Sequence, residues 1–578
     1  MKKTLLLFAI LFSSFSLFAQ TYITNVTVGD VKKQKLKTNQ TVVIEGDLIT
    51  EIKSSKKVKI PSGATVIDGA GKFLFPGMTD AHIHFFQSGG LYTRPDVMDL
   101  RKEYSYDKEI ENAHETMGST LERYLKTGIT NVIDVGATYN FLEKRAPYKN
   151  TPKYSSFSMT GPLLTTYMPE PYKGLKKNSP FSLVKTVEDG INMVKEQLAY
   201  KPDFIKIWYI VGADGLSFEK SARKSQPIIK AIIDEAHKNN LKVAVHATER
   251  ITAQLAVESG ADFLVHSVDD EVVTKDFAKL LAKNKTILSP TLIVSKDYDV
   301  ALGQRLAFSN YELRTADPYQ IGTLSDLKHI ENNRIVDSYK AYFNNPSTIS
   351  KEKKKYKTML DNLKILSDAG VLIATGTDAG NIGTMHASSY LAEVKAMSES
   401  GMSNWQIMTA STINGAKILS QEKEFGSIEV GKKANLILLD KNPIDDIENI
   451  TKIHRVINLG KVYDPSKTLP DSPEDLAQRQ LNAYNERNID AFLEPYAEDV
   501  EVYSHPSRLL FKGKETMRKS YAQMFKNTPN LHCELKNRIV QGNVVIDQEL
   551  VTFGSEKSKA IAIYHIKDGK IQKVFFIQ

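Results

Sequence analysis

Eight short apolar runs alternate with helical segments, β-rich stretches flank them on both sides, and a helices-then-sheet segment follows. These three observations predict an α/β chain built on a (β/α)8 TIM barrel, with a composite β-sandwich domain from both flanks and a C-terminal α+β domain. The 578 residues are too many for one compact domain. Composition is ordinary for a globular chain, with 41% hydrophobic and 25% charged residues, which excludes collagen-like, low-complexity and largely disordered readings. The net charge of +8 is spread along the chain without a dense Lys/Arg block, so no nucleic-acid surface is indicated. Cys533 is the single cysteine, so no intramolecular disulfide and no cysteine-based metal or redox motif can form. Any metal must sit on His, carboxylate or another oxygen donor.

Residues 1–19 read as a secretory signal peptide: Lys2 and Lys3, then an apolar run from Leu5 to Phe18, with cleavage expected after Ala19. Leu17 departs from the small residue preferred two positions before such a site. The run is shorter than the roughly 20 apolar residues of a membrane span, and no later stretch reaches that length, so no transmembrane anchoring is expected. The mature protein is expected to be exported, to a periplasm or outside the cell.

Residues 20–74 and 424–464 carry short β-rich runs broken by tight turns, and they are expected to form one β-domain enclosing the middle of the chain. The barrel is expected over 75–423, its strands at Phe75 to His84, Asn131 to Val135, Ser155 to Thr160, Phe204 to Trp208, Val243 to Ala247, Phe263 to His266, Ile287 to Leu292 and Leu372 to Thr377. A long insertion near 294–363, rich in Lys, Asn and Tyr, reads as a mobile helical cap. Residues 465–473, with three prolines, read as a linker. In 474–578 an amphipathic helix, Leu476 to Arg487, precedes strands at Val544 to Phe553, Lys559 to Ile566 and Ile571 to Ile577.

The chemistry-bearing residues fall at the ends of these strands. His82 and His84 end the first, and period-two alternation points both the same way. Lys206 lies in the apolar fourth strand, where an inward ammonium without a partner is costly. Either it snorkels to solvent, or burial lowers its pKa so that the neutral amine takes up CO2 and the carbamate bridges two metals. His246 and His266 end the fifth and sixth strands; each taken singly also fits a hydrogen-bonded core histidine. Asp378 ends the eighth, between Gly376 and Gly380, which allow close backbone approach. Barrel closure brings these six around one mouth, and their N and O donors suit Zn2+ while also allowing Mn2+, Fe2+ or Co2+.

With the stretches Pro76 to His84, Phe204 to Ile207, Val245 to Ala247, Val265 to Ser267, Gly376 to Gly380 and Gly426 to Leu436, the chain resembles the metal-dependent amidohydrolase superfamily over about residues 21–464, and in particular its imidazolonepropionase-like and prolidase-like members. The resemblance implies two divalent ions, Zn2+ first among them. His82, His84 and Asp378 would hold one, His246 and His266 the other, with carboxylated Lys206 bridging and a hydroxide between the ions. It also implies that Asp378 acts as general base and then general acid. His386, in Thr384 to Ala387 where related sequences often carry a His before a helix, is a candidate to support the ligands from behind or to contact substrate, and Tyr209, just past the lysine strand, is a candidate for substrate contact; related sequences usually have Gly where Ala387 stands. A plain helix-start residue and an ordinary loop aromatic remain the alternatives for these two. His114, His237, His329 and His454 lie outside the pattern and receive no role.

Residues 473–578, through Leu481 to Phe492, Tyr496 to Tyr503, Phe511 to Glu515 and Ile566 to Ile571, resemble nuclear-transport-factor-2-like (NTF2-like), SnoaL-like domains. The family fold is a curved sheet wrapped by helices around a conical pocket. Homodimerisation through this domain and ligand capture are both open, and Asp499, His505 and Cys533 are candidate lining residues, with solvated or core placement as the alternative. The expected activity is hydrolysis of a C–N amide bond in a small molecule: a dipeptide, an N-acyl amino acid or a cyclic amide. A lactonase or esterase on the same metals, and a non-catalytic ligand-binding protein, are the alternatives.

Overall fold

The computed structural model describes residues 20–577, so the signal peptide expected over 1–19 lies outside the described residues. Among the described residues no helix is long and apolar enough to cross a membrane.

The flanking β-domain is one mixed sheet assembled from both ends of the barrel. Its central strand, Thr21–Asp30, pairs antiparallel with Lys35–Glu45 and parallel with Thr65–Asp68 and Phe73–Pro76. Phe73–Pro76 then takes Leu436–Leu439 antiparallel, followed by Ile453–Asn458 and Lys461–Tyr463. Backbone bonds from Ile49 N to Lys432 O and from Gly431 N to Ile49 O curl the sheet onto itself. Inside it Ile23, Val42, Ile44, Leu74, Leu436 and Ile457 form a closed apolar cluster.

The run Phe75 to His84, read above as one barrel strand, is two. Phe73–Pro76 belongs to the flanking sheet and Met78–Ile83 to the barrel. The break is Gly77, where a Cβ would lie 2.2 Å from Thr130 Oγ1, so only glycine lets the chain cross from one sheet to the other. The barrel-type region consists of two parallel sheets. Met78–Ile83, Ile129–Asp134 and Ser156–Met159 form one, and Phe181–Leu183, Leu163–Thr165, Ile205–Trp208, Val243–His246, Phe263–Val265 and Ile287–Ser289 the other. The third run continues across Gly161-Pro162, which removes a ladder donor and divides it between the sheets. On the far side the run Leu372 to Thr377 is not a regular strand. It is bonded to both neighbours, Leu288 N to Leu372 O at 2.9 Å and Ala81 N to Thr375 O at 2.8 Å, with single bridges at Ile373 and Ala379.

One compact cluster joins Ala81, Ile133, Val135, Phe204, Ala244, Phe263, Val265, Ile287 and Ala374, which come from seven of the eight runs. The outward residues Ile205, Ile207, Val243 and Val245 instead pack on the surrounding helices.

The insertion is helical, at Val294–Leu302, Asn310–Thr315, Pro318–Thr323, Arg334–Phe343 and Pro346–Asp368. It does not stand free as a cap over solvent: one apolar cluster runs through its Leu302, Leu313 and Ile321 into Leu476, Phe492 and Tyr496 of the C-terminal domain. The first helix of that domain is Pro473–Asn485 rather than Leu476 to Arg487, with Pro473 in its first turn and a Ser472/Asp475 capping box. Its polar side faces the insertion, not water. Asn482 Nδ2 donates to Pro318 O at 2.6 Å and Arg479 Nη1 to Leu313 O at 2.9 Å, so every residue from Leu476 to Ala483 is buried. A six-stranded sheet completes the domain, in spatial order Arg508–Lys512, Tyr496–Ser504, Lys570–Ile577, Glu556–Lys567, Val544–Phe553, His532–Gln541. Cys533 lines a cavity of about 310 Å3 inside it, whereas Asp499 and His505 are exposed.

Candidate metal centre

The structure brings His82, His84, Lys206, His246, His266 and Asp378 to one end of the barrel region. Strand alternation accounts for half of this. Phe204 and Ala244 point inward, so Lys206 and His246, two residues on, do likewise. His266 is out of phase with the inward Phe263 and Val265, and a left-handed backbone at φ +77° turns it back toward the mouth. Asp378 is also left-handed, at φ +62°. Non-glycine residues in this region carry strain, which the surrounding bonds must hold. Gly376 is obligatory beside it, since a Cβ there would lie 2.2 Å from Ser289 Oγ.

Asp378 Oδ1 stands 3.1 Å from Nε2 of both His82 and His84, and those two nitrogens are 3.3 Å apart. His84 Nδ1 donates to Gly136 O at 3.1 Å, which fixes the tautomer and leaves Nε2 with a bare lone pair. Burial pushes His82 down to about 4. Burial pushes the Asp378 carboxyl up, but His82 and His84 beside it win and hold it well below the usual range. Asp378 Oδ1 has no aligned hydrogen bond. Three donor atoms thus converge at about the spacing of tetrahedral ligands around a first-row ion. Donor atoms of His82, His266 and Asp378 also lie within 4.8 Å of one another. The donor set fits a divalent cation.

On the other side the His246 and His266 rings meet edge to face at 4.3 Å, both held neutral by burial. His266 Nδ1 is 2.8 Å from Thr291 Oγ1. Lys206 is 1% exposed, and among the described residues no carboxylate lies within ion-pair distance of its Nζ. Burial brings it from 10.5 down to about 7, against the pull of Asp378. An amine that sheds its proton near neutral pH, beside imidazoles and a carboxylate, has the chemistry a lysine carbamate requires.

Two candidates for substrate contact are placed otherwise. The Tyr209 hydroxyl donates to Ala222 O at 2.5 Å on an outer helix, so it is spent away from the mouth. His386 uses both ring nitrogens, Nε2 donating to Gln87 O at 2.9 Å and Nδ1 accepting from Tyr124 Oη at 3.0 Å. It braces the loop after His84 instead of facing substrate. Ala387 beside it sits at φ +65°, a conformation that favours glycine.

Several residues around the site carry no signal as single letters. Asp80 Oδ2 accepts from Thr377 Oγ1 at 2.7 Å and Oδ1 from Thr377 N at 3.0 Å, binding the first run to the eighth. Asp134, fully buried, accepts from Gly136 N at 3.1 Å and steadies the turn that receives His84. Arg94 Nη1 and Tyr298 Oη both donate to Asn381 Oδ1, whose Nδ2 donates to Asp378 O at 3.0 Å. Tyr298 belongs to the insertion, so that segment reaches the metal centre. Asp80 alone lay within a quoted motif, two residues before His82.

The Amidohydrolase family model matches residues 73–463, and the SnoaL-like domain model residues 477–574. An imidazolonepropionase of Alkaliphilus metalliredigens is 22% identical over 450 residues, covering 75% of this chain and 92% of its own. An enamidase of Eubacterium barkeri is 26% identical over 255 residues, 42% of this chain; the chain spans 55% of that relative's length. Among solved structures, a Xaa-Pro dipeptidase with bound methionine in the active site superposes with TM-score 0.57 at 22% identity, covering 77% of this chain and 100% of its own. Phenylurea hydrolase B does so with TM-score 0.59 at 19% identity, covering 78% and 98%. These likenesses show a TIM-barrel-type fold with an added sheet domain. With more than half its length under one family model, the chain belongs to the amidohydrolase family of enzymes and carries a SnoaL-like domain after that region.

Proposed function

We propose that this protein is an exported, binuclear metal-dependent hydrolase that cleaves a C–N amide bond in a small molecule: a dipeptide, an N-acyl amino acid or a cyclic amide. The observation that carries the reading is the convergence of the Asp378 carboxylate, 3.1 Å from the Nε2 atoms of His82 and His84, with the buried His246, His266 and Lys206 at the same end of the barrel region. His82, His84 and Asp378 would hold one divalent ion, His246 and His266 a second, and carboxylated Lys206 would bridge; Zn2+ is the first choice for imidazole and carboxylate donors. Two such ions supply a water of lowered pKa and a polarised carbonyl. Asp378 accepts the proton of the attacking water on a carboxylate oxygen and delivers it to the leaving nitrogen. The bond from Asn381 Nδ2 to the Asp378 carbonyl holds that side chain's backbone in its left-handed conformation during the transfer. Export is supported by the order of charge, apolar run and small residue in 1–19.

The test is the metal content of mature protein prepared with Zn2+ and bicarbonate, followed by hydrolysis of dipeptide, N-acyl amino acid, cyclic amide and lactone panels. Two ions per chain and turnover of an amide are expected. One ion or none would remove Lys206 from the bridge, and turnover confined to lactones would replace the amide reading.

A further inference from the structure

Away from the metal centre, a cavity of about 380 Å3 lies where three parts of the chain meet. Tyr92, Tyr104 and Glu109 enter it from the loop and helix after the first barrel strand, Tyr319 and Asp326 from the insertion, and His532 from the C-terminal sheet. Junctions between domains are where small-molecule sites concentrate. The chemistry of the lining is one-sided. It includes two carboxyls, three tyrosine rings, and the amides of Gln320 and Asn482, but no lysine or arginine.

Among the described residues, neither carboxyl pairs with a lysine or arginine. Asp326 Oδ2 accepts from Tyr92 Oη at 2.9 Å, and its side chain remains 29% exposed. Glu109, 3% exposed, accepts from the Ser88 hydroxyl, with Thr93 also beside it. The nearest ring nitrogen to Asp326 is His329 Nε2, at 3.8 Å, and burial lowers that histidine. His329 Nδ1 is 3.0 Å from His532 Nε2, while His532 Nδ1, in a residue only 7% exposed, has no partner at all. Tyr92 and Tyr104 stack with centroids 4.9 Å apart, offering π faces beside the acids. Carboxylates and aromatic faces both attract cations.

We infer that this cavity is a binding site for a small organic cation, an aminium whose charge pairs with Asp326 and Glu109 and whose apolar body lies against the tyrosines. The walls come from the insertion and the C-terminal domain as well as the barrel, so the site exists only because the chain joins all three. It is independent of the amide-hydrolase reading.

The experiment is isothermal titration calorimetry of the full-length, metal-loaded protein with butylammonium, 1,5-diaminopentane and benzylammonium, set against benzyl alcohol and phenylacetate. At least one cation should bind, with the neutral and anionic compounds at least tenfold weaker. Asp326→Asn should weaken it tenfold or more, and Glu258→Gln, an exposed acid on a distant helix, should leave it unchanged. Should Asp326→Asn fail to fold, as judged by its melting transition, Glu109→Gln carries the same expectation. Silence from all three cations, equal binding of benzyl alcohol, or unchanged affinity in the carboxyl variants would overturn the inference.

Discussion

Replacing Lys206 by methionine separates a strained, functional lysine from a structural one. The side chain is 1% exposed with no carboxylate in ion-pair range, and burial brings its amine from 10.5 to about 7. At about 1.4 kcal/mol per pK unit, the metal-free protein carries a ceiling of about 5 kcal/mol of penalty when that amine must be protonated. The folded-state value is lowered, so the unfolded chain binds the extra proton between about pH 7 and 10.5. The penalty is therefore full below pH 7 and fades as pH rises through that window. Methionine fills nearly the same volume without the charge. Chelated Lys206→Met should melt several degrees above chelated wild type at pH 6–7, and the gap should close toward pH 10. The same variant, supplied with Zn2+ and bicarbonate, should bind fewer ions and lose turnover. A chelated variant no more stable than wild type at pH 6, or a gap that persists at pH 10, would refute the idea that burial has prepared this amine for carboxylation.

Other substitutions test the remaining parts. Asp378→Asn should keep most bound metal while kcat falls by about 10^2 to 10^4, measured by metal analysis and steady-state kinetics on one preparation; near-normal kcat would remove Asp378 from proton transfer. Ala387→Gly relieves a left-handed alanine at φ +65° and should raise thermal stability by about 1 kcal/mol with kcat unchanged. Tyr124→Phe removes the donor to His386 Nδ1, leaving a buried lone pair; a loss of about 1–3 kcal/mol with metal content intact is expected in denaturant titration.

Much of the site was legible because strand periodicity is a local property. His82 and His84 at a strand end, and Lys206 and His246 in phase with inward neighbours, follow from alternation alone. His266 does not: its side chain enters the mouth only through a positive φ, which bonds from other segments enforce. Tyr209 was read from nearness in sequence to the site and His386 from a position where related sequences often carry a histidine, and neither ground says where a hydroxyl or ring nitrogen finds its partner. The Ala387 departure, visible as one letter, acquired its meaning from the backbone angle.

By itself the sequence determined the periodic features: the α/β order, the donor types at strand ends, and the glycines that permit close approach. The tertiary structure decided what depends on contacts across hundreds of residues. It divided the first run at Gly77 between two sheets, aimed His266 and Asp378, and brought Tyr298 of the insertion within reach of Asn381. It also buried the polar face of Pro473–Asn485 against the insertion. A polar helix face reads as solvated when only its own segment is considered, because nothing local reveals that a distant loop will supply its hydrogen-bond partners.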